Sequence, residues 1–170
     1  MYKDKMLVSL SKNMKCPCHS GESYQACCQP FHDNDCHAPT PEKLMRSRYC
    51  AYALNKCQYI VDTLVAEQRQ NNELSQIEEF AQSVSFKNLT ILDTHQSELT
   101  QQFGFVTFKV VYQTPDKAFH WMQEKSRFQY TNEQWFYVDG LVTSNNKPIF
   151  LGRNESCLCG STKKFKRCCG

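Results

Sequence analysis

An α+β domain carrying a small cysteine knuckle at each end is the architecture that this chain of 170 residues predicts. Three observations lead there. Apolar residues recur at helical spacing as far as Val84. Beyond Asn88 they alternate with polar residues, as in half-buried strands. The pattern Cys-x-Cys, eight residues, Cys-Cys occurs twice, once near either end, which makes it an internal repeat. Helices followed by an antiparallel sheet form an α+β order in which the helices cover one sheet face. With 41% hydrophobic residues the chain can build one ordinary core and not two large ones.

The first helix is predicted to open at Thr40-Pro41-Glu42. Thr40 can cap it, Pro41 has no N–H to leave unbonded in the first turn, and Glu42 sits near the positive end of the helix dipole. Met45, Tyr49, Tyr52 and Ala53 then share a face. A second helix is expected over Lys56 to Glu67 with Ile60 and Leu64 inward. A third is expected over Asn72 to Val84, where Leu74, Ile77, Ala81 and Val84 form the apolar stripe and Glu78 and Glu79 lie outside it. "GFVTFKVVYQT" puts Val106, Phe108, Val110 and Tyr112 on one strand face and Thr107, Lys109 and Gln113 on the other. "AFHWMQEKSRFQY" and "QWFYVDG" alternate likewise, joined by "TNE" as a short hairpin connection. Cys50 and Cys57 fall in helices and read as small core residues, His95 as a surface or turn residue, and Trp121 and Trp135 as strand aromatics.

The two cysteine sets are Cys16, Cys18, Cys27 and Cys28, and Cys157, Cys159, Cys168 and Cys169. Each loop also carries a serine and an aromatic at equal offsets, Ser20 with Tyr24 and Ser161 with Phe165. The apolar run from Met6 to Leu10 is far shorter than a signal-peptide core or a membrane span, so a cytoplasmic protein is expected. In that reducing compartment eleven cysteines point to metal or redox chemistry and not to structural disulfides. A ligand pair at each end of a short loop suits tetrahedral zinc, and two zinc ions per chain are predicted. The competing readings are a redox thiol pair, a vicinal disulfide at Cys27-Cys28 or Cys168-Cys169, and reduced structural thiols. Near the first set His32, Cys36 and His37 compete with Cys28 for the fourth position. The second set, where only Gly170 follows Cys169, assigns Cys28 by analogy and leaves His32 as the alternative.

The stretch Cys-x-Cys-Gly-Ser-x-Lys-Lys-x-Lys-x-Cys-Cys, here "CLCGSTKKFKRCC", resembles the SEC-C motif, the zinc tail of the preprotein translocase ATPase. Together with "LMRSRYCAY" from Leu44 to Tyr52, "EKSRF" and "WFYVDG", the pair of motifs resembles the YchJ family. The N-terminal copy keeps the cysteines but departs at His19, where the motif has Gly, and at Gly21, Glu22 and Gln25. The resemblance implies knuckles at 14–36 and 154–170 around a middle domain at 39–143. That domain would have the nuclear transport factor 2-like (cystatin-like) fold, a cone of helices on a curved antiparallel sheet enclosing a cavity.

In such a cone polar residues on the inward strand face are pocket candidates. One face of the second long strand carries His120, Met122, Glu124, Ser126, Phe128 and Tyr130. Glu124 and His120 can be read as an acid or base pair. The favoured reading instead pairs Glu124 with Arg46 or Arg48 of the first helix, since an unpaired buried carboxylate costs several kcal/mol. Tyr112 on the neighbouring strand completes the pocket set. No nucleotide-binding loop, nucleophile elbow or metalloprotease helix occurs, so no catalytic residue is assigned. A formal charge of +3 is too weak to imply nucleic acid by itself. Lys163, Lys164, Lys166 and Arg167, however, form a local cluster. The expected function is a zinc-binding adaptor that recognises a protein or another acidic partner, with nucleic acid, a ribosome or an anionic membrane surface as rivals for that cluster. The other alternative is a small-molecule binder or enzyme using the cone's pocket.

Overall fold

Four strands form one antiparallel meander in the order β1-β2-β3-β4: β1 Ser85–Gln96, β2 Phe103–Gln113, β3 Phe119–Thr131 and β4 Gln134–Ser144. The computed structural model describes residues 14–69, 73–96, 102–145 and 147–170. The helices precede the sheet: α1 Gln29–His32, α2 Pro41–Ala53, α3 Cys57–Asp62 and α4 Glu73–Ser83. Helices before an antiparallel sheet give the predicted α+β class. The expected helix start at Asn72 and the apolar run from Met6 to Leu10 lie outside the described residues.

Helix α2 begins as its sequence requires. Thr40 Oγ1 accepts from the Lys43 N–H at 3.2 Å, and Pro41 occupies the first turn. Helix α3 is shorter than its periodicity predicts. Thr63 turns its hydroxyl back to the Tyr59 carbonyl at 2.7 Å, and residues 63–65 leave the helix to pair with β4. There the Tyr137 N–H donates to the Thr63 carbonyl at 2.8 Å and the Val65 N–H to the Tyr137 carbonyl at 3.0 Å. Tertiary pairing thus overrides a helical pattern, and only a 3-10 turn at Ala66–Gln68 follows.

Strand β1 lies mostly where alternation is hard to read, because the ladder with β2 is interrupted twice. Its pairs run Phe86↔Tyr112, Leu89↔Val110 and Ile91↔Phe108, with irregularities between Phe86 and Asn88 and between Ile91 and Asp93. Each bulge shifts the inward set by one residue and bends the strand. A third irregularity lies on β4, where Arg127 pairs with Asp139 but Phe128 with Tyr137. The β3–β4 hairpin closes through Asn132 and Glu133, both at positive φ (49° and 62°), as a two-residue turn of the type that matches strand twist.

The concave face carries Val106, Phe108, Val110 and Phe128, all buried, and packs against Leu44, Met45 and Tyr49 of α2. Gly104 makes the close approach possible, since a side chain there would meet the Pro41 ring at 2.3 Å. Among the described residues no helix is long and apolar enough to cross a membrane.

Candidate metal centres and domain cavity

The sequence repeat is a repeat in space. In both loops the first cysteine's N–H donates across the loop, Cys16 to the Glu22 carbonyl at 2.8 Å and Cys157 to the Lys163 carbonyl at 2.9 Å. In both, the serine hydroxyl lies against the third cysteine sulfur, Ser20 to Cys27 at 3.3 Å and Ser161 to Cys168 at 3.1 Å. Each loop turns through two left-handed residues at matched offsets, His19 and Gly21 in one, Gly160 and Thr162 in the other. Each copy therefore has one glycine where glycine is least strained, but in opposite slots. His19 stands in place of the motif's glycine at φ 58° and sets its ring edge-on to Tyr49 of α2, 6.3 Å between centroids.

The thiols converge. Within each set the four ligand atoms lie within 4.8 Å of one another, and all eleven cysteines are free thiols. Four sulfurs on zinc at the usual bond length would be ~3.8 Å apart along the edges of the tetrahedron. The observed separations are 3.6 Å for Cys18–Cys27 and 3.8 Å for Cys27–Cys28, with 3.3 Å for Cys159–Cys168 and 3.8 Å for Cys168–Cys169. The donor set and spacing fit a tetrahedral ion, and the adjacent cysteines turn both sulfurs to one point without bonding to each other.

Hydrogen bonds from Cys18, Cys28 and Cys50 hold the Cys16 sulfur far below the ordinary thiol range, while contacts with Cys16, Cys18 and Cys50 push Cys28 up. In the second set burial pushes Cys159 up, but bonds from Ser161 and Cys168 outweigh it and bring that thiol down to about 6. Each site thus has one sulfur biased toward the thiolate, the form that ligates a metal.

Cys50 was not assigned to a site by sequence. Its sulfur lies 3.9 Å from Cys16, making a fifth buried thiol at the first centre. It sits on α2, outside the repeat, so only the packing of that helix on the knuckle reveals it. His32 does not compete with Cys28. Its Nε2 faces the Ser47 carbonyl at 2.9 Å, which can only accept, so Nε2 carries the proton and Nδ1 accepts from the Tyr24 hydroxyl at 2.8 Å. Both ring nitrogens are occupied, and neither His32, Cys36 nor His37 is in the cluster.

Burial holds the His32 imidazole below its usual 6.5. The unfolded chain therefore binds this proton before the folded one does, so the contribution to stability is complete above pH 6.5 and is lost as pH falls below it. Chemical denaturation at pH 7 and pH 5 should show that loss, and His32→Gln should flatten this part of the profile. An unchanged slope in the variant would assign the acid sensitivity elsewhere.

The two knuckles are seated differently. Cys16, Cys18, Cys27 and Cys28 are all buried in the main core with Tyr24, Met45, Tyr49 and Cys50. The second knuckle packs its Phe165 edge-on to Phe119, 5.8 Å between centroids, in a small separate cluster. Cys157 is buried there, whereas Cys168 is exposed.

Between the concave sheet face and the helices lies a cavity of about 370 Å³, lined mainly by aromatic and aliphatic side chains. Glu124 and Arg48 line it; His120, Tyr112 and Arg46 do not. His120 stacks on Tyr112 beyond the cavity wall, 5.5 Å between centroids, so it is no acid or base partner for Glu124. The expected ion pair between Glu124 and an α2 arginine is absent among the described residues. Arg46 bonds Glu42 at 2.8 Å and the Cys18 carbonyl at 3.0 Å, which ties it to the first knuckle. Arg48 donates to the Ile60 carbonyl at 2.7 Å and Thr63 Oγ1 at 2.6 Å. Glu124 Oε1 instead accepts from the hydroxyls of Ser126 at 2.6 Å and Tyr137 at 2.8 Å. Two neutral donors meet the carboxylate where a cation was expected.

Comparison with known proteins agrees with this geometry. The family described as "YchJ, middle NTF2-like domain" matches residues 40–140, and the SEC-C motif matches 13–30 and 153–170. The chain belongs to the YchJ family. A UPF0225 protein of Vibrio cholerae is 38% identical over 157 residues, covering 92% of this chain and 100% of its own. A UPF0225 protein of Actinobacillus succinogenes is 37% identical over 91% of this chain and 96% of its own. Two solved neighbours carry the same motif by name. The solution structure of a SEC-C motif containing protein from Rhodopseudomonas palustris has a TM-score of 0.69 at 30% identity, over 75% of this chain and 98% of that one. The crystal structure of one from Psychrobacter arcticus has 0.65 at 31% identity, over 96% and 98%. The middle domain of this YchJ-family chain is thus nuclear transport factor 2-like, flanked by SEC-C motifs.

Proposed function

We propose that this YchJ-family chain is a cytoplasmic two-zinc binding protein that docks an acidic partner, foremost a protein, on its C-terminal knuckle. Four thiolates at each ion leave no open position for water, so both zinc sites are structural. The observation that carries the docking surface is that Lys163, Lys164, Lys166 and Arg167 are all exposed and none forms an ion pair among the described residues.

Compensation of the metal site's negative charge is the competing explanation, and other cations near the knuckles weigh against it. Arg46 reaches the Cys18 carbonyl of the first knuckle. Burial pushes the Cys169 thiol of the second up, and Lys87, in the first bulge of β1, offsets part of that rise. The four C-terminal cations remain available for a partner, and Phe165 fixes the knuckle that presents them.

Replacing the four with Gln tests the proposal. Zinc content and melting temperature should hold, while capture of a protein partner falls and the residual capture weakens with salt. Zinc loss with unchanged capture would show that the cations serve the metal. Capture abolished by nuclease, or transferred to anionic vesicles, would replace the protein partner with RNA or membrane.

A further inference from the structure

The cavity in the middle domain contains a charge arrangement that neither the fold nor the knuckles require. Arg48 and Glu124 are the two charged residues lining it, and each is only 8% exposed. Desolvating such groups costs several kcal/mol each, and proteins ordinarily recover the cost by bringing opposite charges into contact. Here they are held apart. Tyr137 stands between them, with the Arg48 guanidinium over its ring at 4.6 Å and its hydroxyl on Glu124 at 2.8 Å. No ion pair links the two among the described residues.

Each charge also keeps bonding capacity in hand. Both hydrogen bonds to Glu124 fall on Oε1, leaving Oε2 without a hydrogen-bond donor among the described residues. Arg48 uses Nη1 for both of its bonds, leaving the N–H groups of Nη2 and Nε without an acceptor among the described residues. Gly140 is cut to fit this arrangement. A side chain there would lie 2.0 Å from Glu124 Oε1 and 2.6 Å from Cδ, so the glycine leaves room for the carboxylate to lie against β4. Apart from the uncharged Gln76 and Ser126, the rest of the lining is apolar or aromatic, including Met45, Phe86, Phe108, Met122 and Phe128. Phe80, 37% exposed, brings α4 to the rim.

We propose that this cavity binds a small zwitterion with an apolar body, of amino-acid type, whose ammonium meets Glu124 and whose carboxylate meets Arg48. A ligand bearing one charge would leave the other buried group unmatched, whereas one bearing both satisfies the two together. The aromatic walls accept the side group, and the volume falls within the range of small-molecule sites, roughly 300–1,000 Å³. Binding there is independent of the knuckle's cationic face.

The full-length, zinc-replete protein is titrated calorimetrically with the twenty amino acids, phenethylamine and 3-phenylpropionate. At least one aromatic or branched amino acid should bind one to one. Phenethylamine, lacking the carboxylate, and 3-phenylpropionate, lacking the amine, should each bind at least tenfold more weakly than phenylalanine. Glu124→Gln keeps an oxygen for Ser126 and Tyr137, so its melting temperature should hold while amino-acid affinity falls at least tenfold. Gly140→Ala is the second variant, because it displaces the carboxylate without altering the cavity's apolar wall, and it should lose affinity likewise. Circular dichroism and zinc content verify the fold of both. Since Arg48 also holds helices together, its role is read from the ligand pair and not from a variant. No saturable binding by any compound at millimolar concentration overturns the proposal. So does equal affinity of the folded Glu124→Gln protein, or equal binding of the amine alone.

Discussion

Cys18→Ser is expected to abolish cooperative folding of the whole chain, whereas Cys159→Ser should leave a folded domain with a modestly lowered melting temperature. Cys18 is fully buried, and its loop shares the main core with Leu44, Met45, Tyr49 and Leu89. With zinc as the proposed cross-link, its loss there would leave the thiols of a main-core loop unconnected. Structural zinc contributes on the order of 10 kcal/mol in small peptides, comparable with the total stability of an ordinary domain, about 5–15 kcal/mol. Arg46 and His32 would lose their footing with it, since Arg46 bonds the Cys18 carbonyl and His32 bonds Tyr24 inside the same loop.

The second centre stands on Phe119, Phe165 and Ile149, outside that core. Its failure releases one small cluster and the Phe119–Ile149 bridge, which is a local opening. Thermal melts of both variants, with zinc counted before heating, decide the matter. Equal destabilisation would mean that the second knuckle also supports the sheet, through Phe119 on β3. A folded Cys18→Ser protein with one zinc would show that the first knuckle is an ornament on an autonomous core.

The distinction between the knuckles was not legible in the repeat. Identical spacing announces two four-cysteine clusters able to hold a metal, because ligand chemistry is local and the loop closes itself. What each loop packs against is not local. Tyr24 and Phe165 occupy equal offsets, yet Tyr24 lies in the main core while Phe165 lies on Phe119. Cys50 illustrates the same limit, since a buried cysteine on a helix looks like core until the knuckle closes over it.

The strands show where patterning works and where it fails. Val106, Phe108 and Val110 alternate without interruption and are all buried as expected. Along β1 two bulges break the count, so the stretch between them, with Leu89 and Ile91 inward, is out of step with Phe86 at one end and Thr94 at the other. Glu124 and Arg48 of the pocket set line the cavity, and the others fall outside it for a related reason. His120 and Tyr112 do share the strand face of Glu124, but the cavity spans only part of that face. Periodicity tells which side a residue takes, and the helices above decide how much of that side is enclosed.

Arg48→Ala should cost about 3–5 kcal/mol of stability, the penalty typical of breaking a buried charged network. Arg48 and Arg46 are two residues apart on α2 and were equal candidates for one role, yet they point to different neighbours. Arg48 joins α2 to the end of α3 through the Ile60 carbonyl and Thr63, and its guanidinium covers Tyr137 of β4. Three elements therefore meet on one side chain. Truncation leaves the Ile60 carbonyl with only the weaker 3.2 Å bond from Thr63, removes the cation from the Tyr137 ring, and enlarges a cavity that is already present. Lysine retains the charge but lacks the planar fork, so Arg48→Lys should recover only part of the loss. Arg46→Ala is the comparison. Its pair with Glu42 is a partly exposed i,i+4 contact, worth well under 1 kcal/mol. Its bond to the Cys18 carbonyl instead predicts faster zinc loss to a chelator at nearly unchanged melting temperature. For a chain of this size each 1 kcal/mol moves the melting temperature by roughly 2–4 °C. Arg48→Ala should therefore melt roughly 6–20 °C below the parent, with Arg48→Lys between them and Arg46→Ala beside the parent. If Arg46→Ala proved the less stable of the two alanine variants, the anchoring of the first knuckle and not the α2–α3–β4 junction would be the weakest point of the fold. Were Arg48→Ala neutral, its charge would serve the cavity's occupant alone.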